Sequence, residues 1–324
     1  MKSKLLLFIS VFSLLFFPKL NLGQIAPNLS TTSGFALFTA AGALDNIGAA
    51  TLVTGDVGSN SSAVTGFPPG IVVGTIYNPP NAALTQAALD VAIAYNDLTQ
   101  AGSVIGVGLG NGQILFSGVY QTGAASTLDG NLTLDAQGNP DALFIIRIGG
   151  AFATSASSTV TLINSASLCN VYWQIGGQLD LGNNSVFRGT VIVDGAINLL
   201  EGSNLLGRGL SRAGAISLHN NIVIFLPEAA GTIIGTPTVC QRQTGVSYTV
   251  PDIANATGYN WTLPDGATIA TGTNTNSIKV EFSETAASGN ITVQGSSSCG
   301  NGIVSADFVV TVNLLSSTSL IYHY

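Results

Sequence analysis

Between Asp141 and Leu226 the chain repeats itself in units of strand, glycine turn and strand, and no other property narrows its fold so far. Phe144-Ile-Ile-Arg-Ile148 runs into Gly-Gly-Ala151, and Val171-Tyr-Trp-Gln-Ile175 into Gly-Gly-Gln178. Thr190-Val-Ile-Val-Asp194 runs into Gly-Ala196, and Arg208-Gly-Leu-Ser-Arg212 into Ala-Gly214. The aligned glycines stand at 150, 177, 195 and 214, at steps of 27, 18 and 19 residues. An extra loop, Ile163 to Asn170, lengthens the first step, so the underlying period is about 18 to 20 residues. Each unit holds two further short β runs after its turn: Leu179 to Leu181 and Ser185 to Phe187 in one, Ile197 to Leu200 and Asn204 to Leu206 in the next. Three short strands and three corners cannot make a self-sufficient sheet, but stacked they make a β-solenoid around an inner column of Ile, Leu, Val and Phe. A corner that needs φ > 0, or that leaves no room for Cβ, accounts for the glycines.

The remainder reads as additions to this stack. Met1 to Gly23 has the form of a secretory signal, with Lys2 and Lys4 before the apolar run Leu5 to Phe17. Residues 24–34 read as a linker and 35–230 as the solenoid, opening on the strand Phe35 to Thr39. Thr51 to Thr54, Gly55 to Gly58, Ala63 to Thr65 and Ile71 to Val73 are less regular rung strands. Asn81 to Leu98 carries apolar residues at Leu84, Ala87, Ala88, Val91, Ala94, Tyr95 and Leu98, the spacing of an amphipathic helix with Asn81 as N-cap. Its apolar face needs a partner, and the solenoid flank is the large one on offer. Gly102 to Gly112 is a glycine-rich connection without a dinucleotide fingerprint, since no helix pattern follows. From 236 to 313 alternation with frequent turns predicts a small immunoglobulin-like β-sandwich with Trp261 in its core. Residues 314–324 form a tail.

Composition bounds the chemistry. Charged residues make up 8% of the 324 and Gly numbers 39, so the surface is polar but nearly uncharged. A net charge of −7 without a basic cluster excludes nucleic acid as a partner and gives no purchase on an anionic membrane. After residue 23 no apolar run approaches the ~18 residues of a membrane span. Of the three cysteines, Cys240 and Cys299 share the C-terminal region and are expected to form a disulfide, leaving Cys169 as a small buried hydrophobe.

Catalytic groups are sparse. His219 and His323 stand far apart, which signals neither a metal site nor a hydrolase triad. Asp180, Asp194, Arg188, Arg208 and Arg212 would be the candidates for a polysaccharide-cleaving solenoid, but they fit ion pairing between adjacent rungs better. No catalytic residue and no metal ligand is assigned. What the residues offer is a rigid face on which like side chains recur every ~4.8 Å, the interstrand spacing. That interval lies near oxygen spacings in ice, and small hydroxyl, amide and methyl groups held there can order water where mobile charges cannot.

Phe35-Ala-Leu-Phe-Thr-Ala-Ala-Gly-Ala43, Val53-Thr-Gly-Asp-Val-Gly58, Thr65-Gly-Phe-Pro-Pro-Gly70, Leu132-Thr-Leu-Asp-Ala-Gln-Gly138, Asn170-Val-Tyr-Trp-Gln-Ile-Gly176, Phe187-Arg-Gly-Thr190 and Gly207-Arg-Gly-Leu210 together resemble the microbial ice-binding protein family over Phe35 to Pro227. The resemblance implies a three-faced, right-handed, discontinuous β-solenoid with one long helix alongside. It also implies export, adsorption to ice with inhibition of ice growth or recrystallisation, no enzymatic activity and no cofactor. The C-terminal region, through Val239-Cys240, Tyr248-Thr-Val-Pro251, Tyr259-Asn-Trp261 and Pro264-Asp-Gly-Ala-Thr268, is similar to PKD-like modules of exported Bacteroidetes proteins, which act as spacers or adhesion units and would allow cell-surface or matrix association. An adhesin using the same solenoid on glycan or protein is the alternative reading.

Active members of that family carry a Thr, Ala/Gly, any, Thr/Asn motif at one corner of successive rungs. Its last position falls here on Asn131, Thr159, Ser185, Asn204 and Ile222, and its first on Leu128, Ala156, Gly182, Glu201 and His219. The resemblance thus points to Asn131, Ser157, Thr159, Asn183, Ser185, Ser203, Asn204 and Asn220 as the ice-facing set. Glu201 departs from it, because a carboxylate holds its own hydration shell. Thr51, Thr54 and Thr65 offer another face on the early rungs.

Overall fold

The computed structural model describes residues 24–253, 256–297 and 299–315. The leader expected over 1–23 lies outside them, as does the tail from 316 onward.

The chain is a stack of triangular rungs with a helix along one side and a β-sandwich attached. One edge of the triangle is an eight-stranded parallel sheet, running in space from Val64–Thr65 through Leu44–Asn46, Ile216–Leu218, Ile197–Leu199, Leu179–Leu181, Phe152–Thr154 and Ser126–Asp129 to Gly108–Gly110. The order is not that of the chain. Residues 103–224 climb rung by rung, and the N-terminal rungs then cover the last of these, with Phe35–Thr39 against Asn204–Ser211 and Leu52–Thr54 against Ile222–Ile224. The helix Ala82–Asp97 closes the break, carrying the chain back toward the far end at Ser103. Its 16 residues span about 24 Å, most of the ~34 Å of eight stacked strands.

Asn81 caps this helix, its side chain accepting from the Ala83 N–H at 2.8 Å. Leu84, Ala87, Val91, Ala94 and Leu98 are buried against Ile145, Tyr172, Ile192 and Leu210, the outward residues of the first strand of each rung. The 24–34 segment is no free linker. Thr31 donates its N–H and hydroxyl to Asp90 on the helix, at 3.1 and 2.5 Å, and Gln100 donates to the Ile25 carbonyl.

Within the rungs, residues read as separate strands are in two cases continuous. Val186–Val193 and Asn204–Ser211 each serve two edges of the triangle, and their register runs unbroken from Val186↔Asn204 to Val193↔Ser211. The change of edge is a bend at Gly189 (φ 114°) and Gly207 (φ 149°), where a Cβ on Gly207 would fall 1.9 Å from the Gly189 carbonyl oxygen. The repeat glycines have the other cause. Gly177 and Gly195 lack positive φ, but a Cβ on either would stand 2.7 Å from the backbone of the rung below. The Gly102 to Gly112 connection contains two strands of the first climbing rung, Ser103–Val104 and Gly108–Gly110. Inside, Trp173 stacks on Phe152 and touches Phe187, filling the column beside the long loop.

The C-terminal sandwich pairs Ile234–Gly235, Val246–Thr249, Ser277–Phe282 and Ala267–Thr271 in one sheet, and Thr238–Cys240, Phe308–Asn313, Gly289–Ser297 and Gly258–Thr262 in the other. Tyr248, fully buried, is its central aromatic. Trp261 sits half-buried at the margin, donating to the Thr275 carbonyl. The expected Cys240–Cys299 bridge is not formed. Cys240 is exposed and free, its strand pairing placing it opposite Asn313, whereas Cys299 follows the Gly289–Ser297 strand in a turn that meets the solenoid. Cys299 bonds to Cys169 in the long loop, with the two Cα atoms 5.1 Å apart. The extra residues of the longest repeat therefore carry a covalent tie between the two parts, and Cys169 is no lone hydrophobe.

Peptide mapping without reduction is expected to recover a 169–299 linked pair and a Cys240 that reacts with thiol reagents in the folded chain. Cys169→Ser should cost about 2–4 kcal/mol of stability. Thr31 holds the Asp90 carboxyl below its ordinary 3.8, outweighing burial. The carboxylate's contribution is therefore present above that value and lost as pH falls through the lower folded one. Asp90→Asn should lower the melting temperature at neutral pH, with the gap to wild type closing in strongly acidic buffer.

Candidate functional site

Of the three edges of the triangle, one lies under the helix. The second is narrow, with strands of two to four residues whose outward positions run Thr127, Ala153, Asp180, Asn198, Ser217, Asp45 and Thr65 in spatial order. Its carboxylates are held by neighbours, Asp180 accepting from Asn198 at 2.7 Å and from Gln178, and Asp45 from the Thr65 hydroxyl. This edge is polar and partly ionic.

The third edge is wider and almost free of charge. One outward ladder runs Asn131, Thr159, Val186, Asn204, Ile222, Leu52, Ile71. Two residues further along each strand a second runs Thr133, Thr161, Arg188, Leu206, Ile224, Thr54, Val73, of which Ile224 is buried. Paired residues recur at about 4.8 Å. At one end the groups fix one another: the Thr159 and Thr161 hydroxyls both donate to Asn131 Oδ1, at 2.7 and 2.6 Å, and Asn131 Nδ2 donates to Thr133 Oγ1 at 2.9 Å. Hydroxyls tied in this way keep one orientation, which mobile surface groups do not.

Arg188 is the exception, and its cause is structural. The pairing of Thr159–Ile163 with Val186–Val193 stops after Thr159↔Val186, where the long loop begins to divert the chain. Arg188 folds over the gap and donates to the Val160 carbonyl that the interrupted ladder leaves open. Burial lowers its pKa from the ordinary guanidinium value. Asp135, at the margin, accepts from Asn164 and the Gln137 N–H. Of the other groups weighed for catalysis, Arg212 pairs with Asp194 on the adjacent rung at 3.6 Å, but Arg188 and Arg208 have no carboxylate partner among the described residues. Among the described residues no three His, Cys, Asp or Glu side chains gather as metal ligands.

The residues selected from the sequence divide into three groups. Asn131, Thr159 and Asn204 stand on the first outward ladder. Ser157, Asn183 and Asn220 occupy the turns at the corner between second and third edges, where Ser157, Asn184, Gly202 and Asn220 repeat a left-handed φ of 56–66°. Glu201 is exposed in the same row and accepts from Asn220 Nδ2 at 2.7 Å. Ser185 and Ser203 point inward and are at most 1% exposed, so they cannot touch anything outside the protein. With Ser158, Asn221 and Thr51 they form an internal polar column under the corner. Asn221 Nδ2 donates to the Leu200 and Ser203 carbonyls, both at 2.8 Å, and Ser158 donates to the Leu128 carbonyl, but Ser185 Oγ has no partner. Thr54 joins the third edge, Thr65 stays on the second and Thr51 is buried. Thr133 and Thr161 were missed, although strand alternation from Asn131 and Thr159 would have reached them.

Residues 38–224 match the family model described as Ice-binding-like, and residues 226–310 match that of a PKD-like domain. An ice-binding protein of Nostoc sp. (strain HG1) is 38% identical over 169 residues, covering 51% of this chain and 62% of that protein. Ice-binding protein 1 of Shewanella frigidimarina is 32% identical over 233 residues, covering 61% of this chain and 26% of its own length. The chain thus spans less than two thirds of either relative. Among solved structures, an ice-binding protein from an Antarctic Flavobacteriaceae bacterium superposes with a TM-score of 0.59 at 35% identity, covering 68% of this chain and 56% of that one.

The internal column separates satisfied from unsatisfied buried groups. Asn221→Ala should cost about 2–4 kcal/mol by stranding its partners, whereas Ser185→Ala should stay within about 0.5 kcal/mol of wild type. Urea midpoints of the two variants check this, and equal losses would contradict the assignment.

Proposed function

The chain belongs to the Ice-binding-like family, and from that premise we propose that it is an exported protein that adsorbs to ice through the third edge of its solenoid and so restrains ice growth or recrystallisation. The observation that carries this reading is the pair of outward ladders, which are built from Thr, Asn, Val, Ile and Leu and hold one ionic side chain, itself folded onto the backbone. Bound water on such a surface has oriented hydroxyl and amide partners and no charge to compete for it. Asn131, Thr159 and Asn204 lie in the contact, joined by Thr133, Thr161, Leu206 and Thr54. Ser157, Asn183 and Asn220 extend it at the corner, where Glu201 interrupts it.

The Cys169–Cys299 bond supports export, since such bonds persist in oxidising compartments. No catalytic step, metal or cofactor enters this reading. The PKD-like module, fixed to the loop beside Cys169, serves as the unit for cell-surface or matrix attachment.

Recrystallisation and thermal-hysteresis assays on face-specific variants test the proposal. Asn204→Tyr and Thr161→Tyr should weaken ice adsorption at least about tenfold, near 1.4 kcal/mol, and Glu201→Thr should strengthen it. Thr65→Tyr on the second edge should leave it unchanged. All four sites are on the surface, so melting temperatures should stay close to wild type. Equal activity in the two third-edge variants and the parent would refute the choice of face.

A further inference from the structure

Arg208 faces outward from the strand edge that the helix covers, in the same ladder as Thr190 and Tyr172. It lies beyond reach of the ice-facing edge, and the proposed function makes no use of it. Its side chain is 4% exposed, and the guanidinium lies 3.9 Å above the centre of the Phe225 ring. Nε and Nη2 donate to the Ser33 carbonyl at 3.1 and 2.9 Å, and Nη2 also reaches the Cys299 carbonyl at 3.3 Å. Nη1 has only a 3.4 Å bond to Thr190 Oγ1. The ion pairs among the described residues, Arg212–Asp194 and Arg242–Glu284, do not involve it. Burial pulls its pKa down to about 10, so it remains a cation at physiological pH. Neutral carbonyls satisfy its donors without cancelling its charge, and an uncompensated buried cation is costly.

Arg208 forms part of the wall of an open cleft of about 370 Å³, lined also by residues 27–30, Ser33, the Cys169–Cys299 bridge and Tyr172. No Asp or Glu lines it. Tyr172 also lines it, and burial raises its pKa above the ordinary 10.0, so its hydroxyl is a donor. A buried guanidinium without a carboxylate partner and a phenolic hydroxyl group thus line one cleft too large for a single water.

We propose that this pocket binds a small oxyanion, a carboxylate or a phosphate group, held by the Arg208 guanidinium and the Tyr172 hydroxyl. Its walls come from three separate parts of the chain: the N-terminal segment, the solenoid and the C-terminal module. A bound anion would therefore neutralise Arg208 and tighten the seam where these parts meet.

Calorimetric titration of the full oxidised chain with sodium acetate and with inorganic phosphate, each at constant ionic strength, tests this. One saturable site is expected for at least one of them, with a dissociation constant on the order of a millimolar, accompanied by a rise in melting temperature. Saturation by acetate alone identifies a carboxylate site, and by phosphate alone a phosphate site. Arg208→Met should abolish the saturable heat. Tyr172→Phe, which removes one oxygen and keeps the packing, should weaken binding about tenfold and decides the matter if the arginine variant does not fold. Absence of saturable binding with both anions, or unchanged binding in either variant, overturns the proposal. Ice assays on the same variants should match wild type, so failure here leaves the ice-adsorption reading untouched.

Discussion

Every rung is tied to the next by parallel main-chain hydrogen bonds, and that single interval governs the rest of the molecule. Strands of three to five residues have too little surface to be stable alone, so each depends on its neighbours for both its backbone partners and its share of the buried column. The same interval makes each outward position face its own equivalent above and below. A charge placed there would meet its copy a few ångströms away, which is why so uncharged a composition suits the fold. Where charge does occur, the stack accommodates it locally. Asp194 and Arg212 alternate in sign between adjacent rungs, and Arg188 replaces a ladder bond that the long loop interrupts.

Much of this order could be read from the amino acids, because the forces involved act at short range. The apolar spacing from Leu84 to Leu98 and the cap at Asn81 gave the helix within a residue at each end, and Phe144–Ile148 and Val171–Ile175 were bounded as found. The glycine period was informative because neighbouring backbones leave no space for Cβ at Gly177 and Gly195. What escaped depended on direction or on distant partners. A glycine between two β runs looks the same whether it turns the chain or merely bends it, so the continuity through Gly189 and Gly207 was hidden. Side-chain parity does not carry through a left-handed turn, and Ser185 and Ser203 therefore fell on the inside while Asn204 fell on the outside. The partner of Cys299 was set by packing across 130 residues, which no local spacing encodes.

The long repeat acquires its explanation only from the assembled structure. Residues 163–170 look like an irregular insertion, yet they carry Cys169 to the edge of the C-terminal module. There the disulfide, the Arg208 guanidinium and the Ser33 carbonyl converge within one small region. The sandwich is consequently stapled to the solenoid and not to itself. Its own stability rests on a compact apolar centre around Tyr248, Val280 and Ile291.

The displaced position of the first rungs also orders events in time. Leu37 pairs with Gly209 and Leu52 with Ile222, so a growing chain leaving the ribosome cannot seat its opening strands until some 170 later residues have been made. The earlier strands of the solenoid are the ones that must wait. Until then these apolar strands are without a template, and loop closure over so long a contour makes the docking step slow. Whatever keeps those strands from pairing elsewhere during that interval belongs to the working requirements of this architecture as much as the finished stack does.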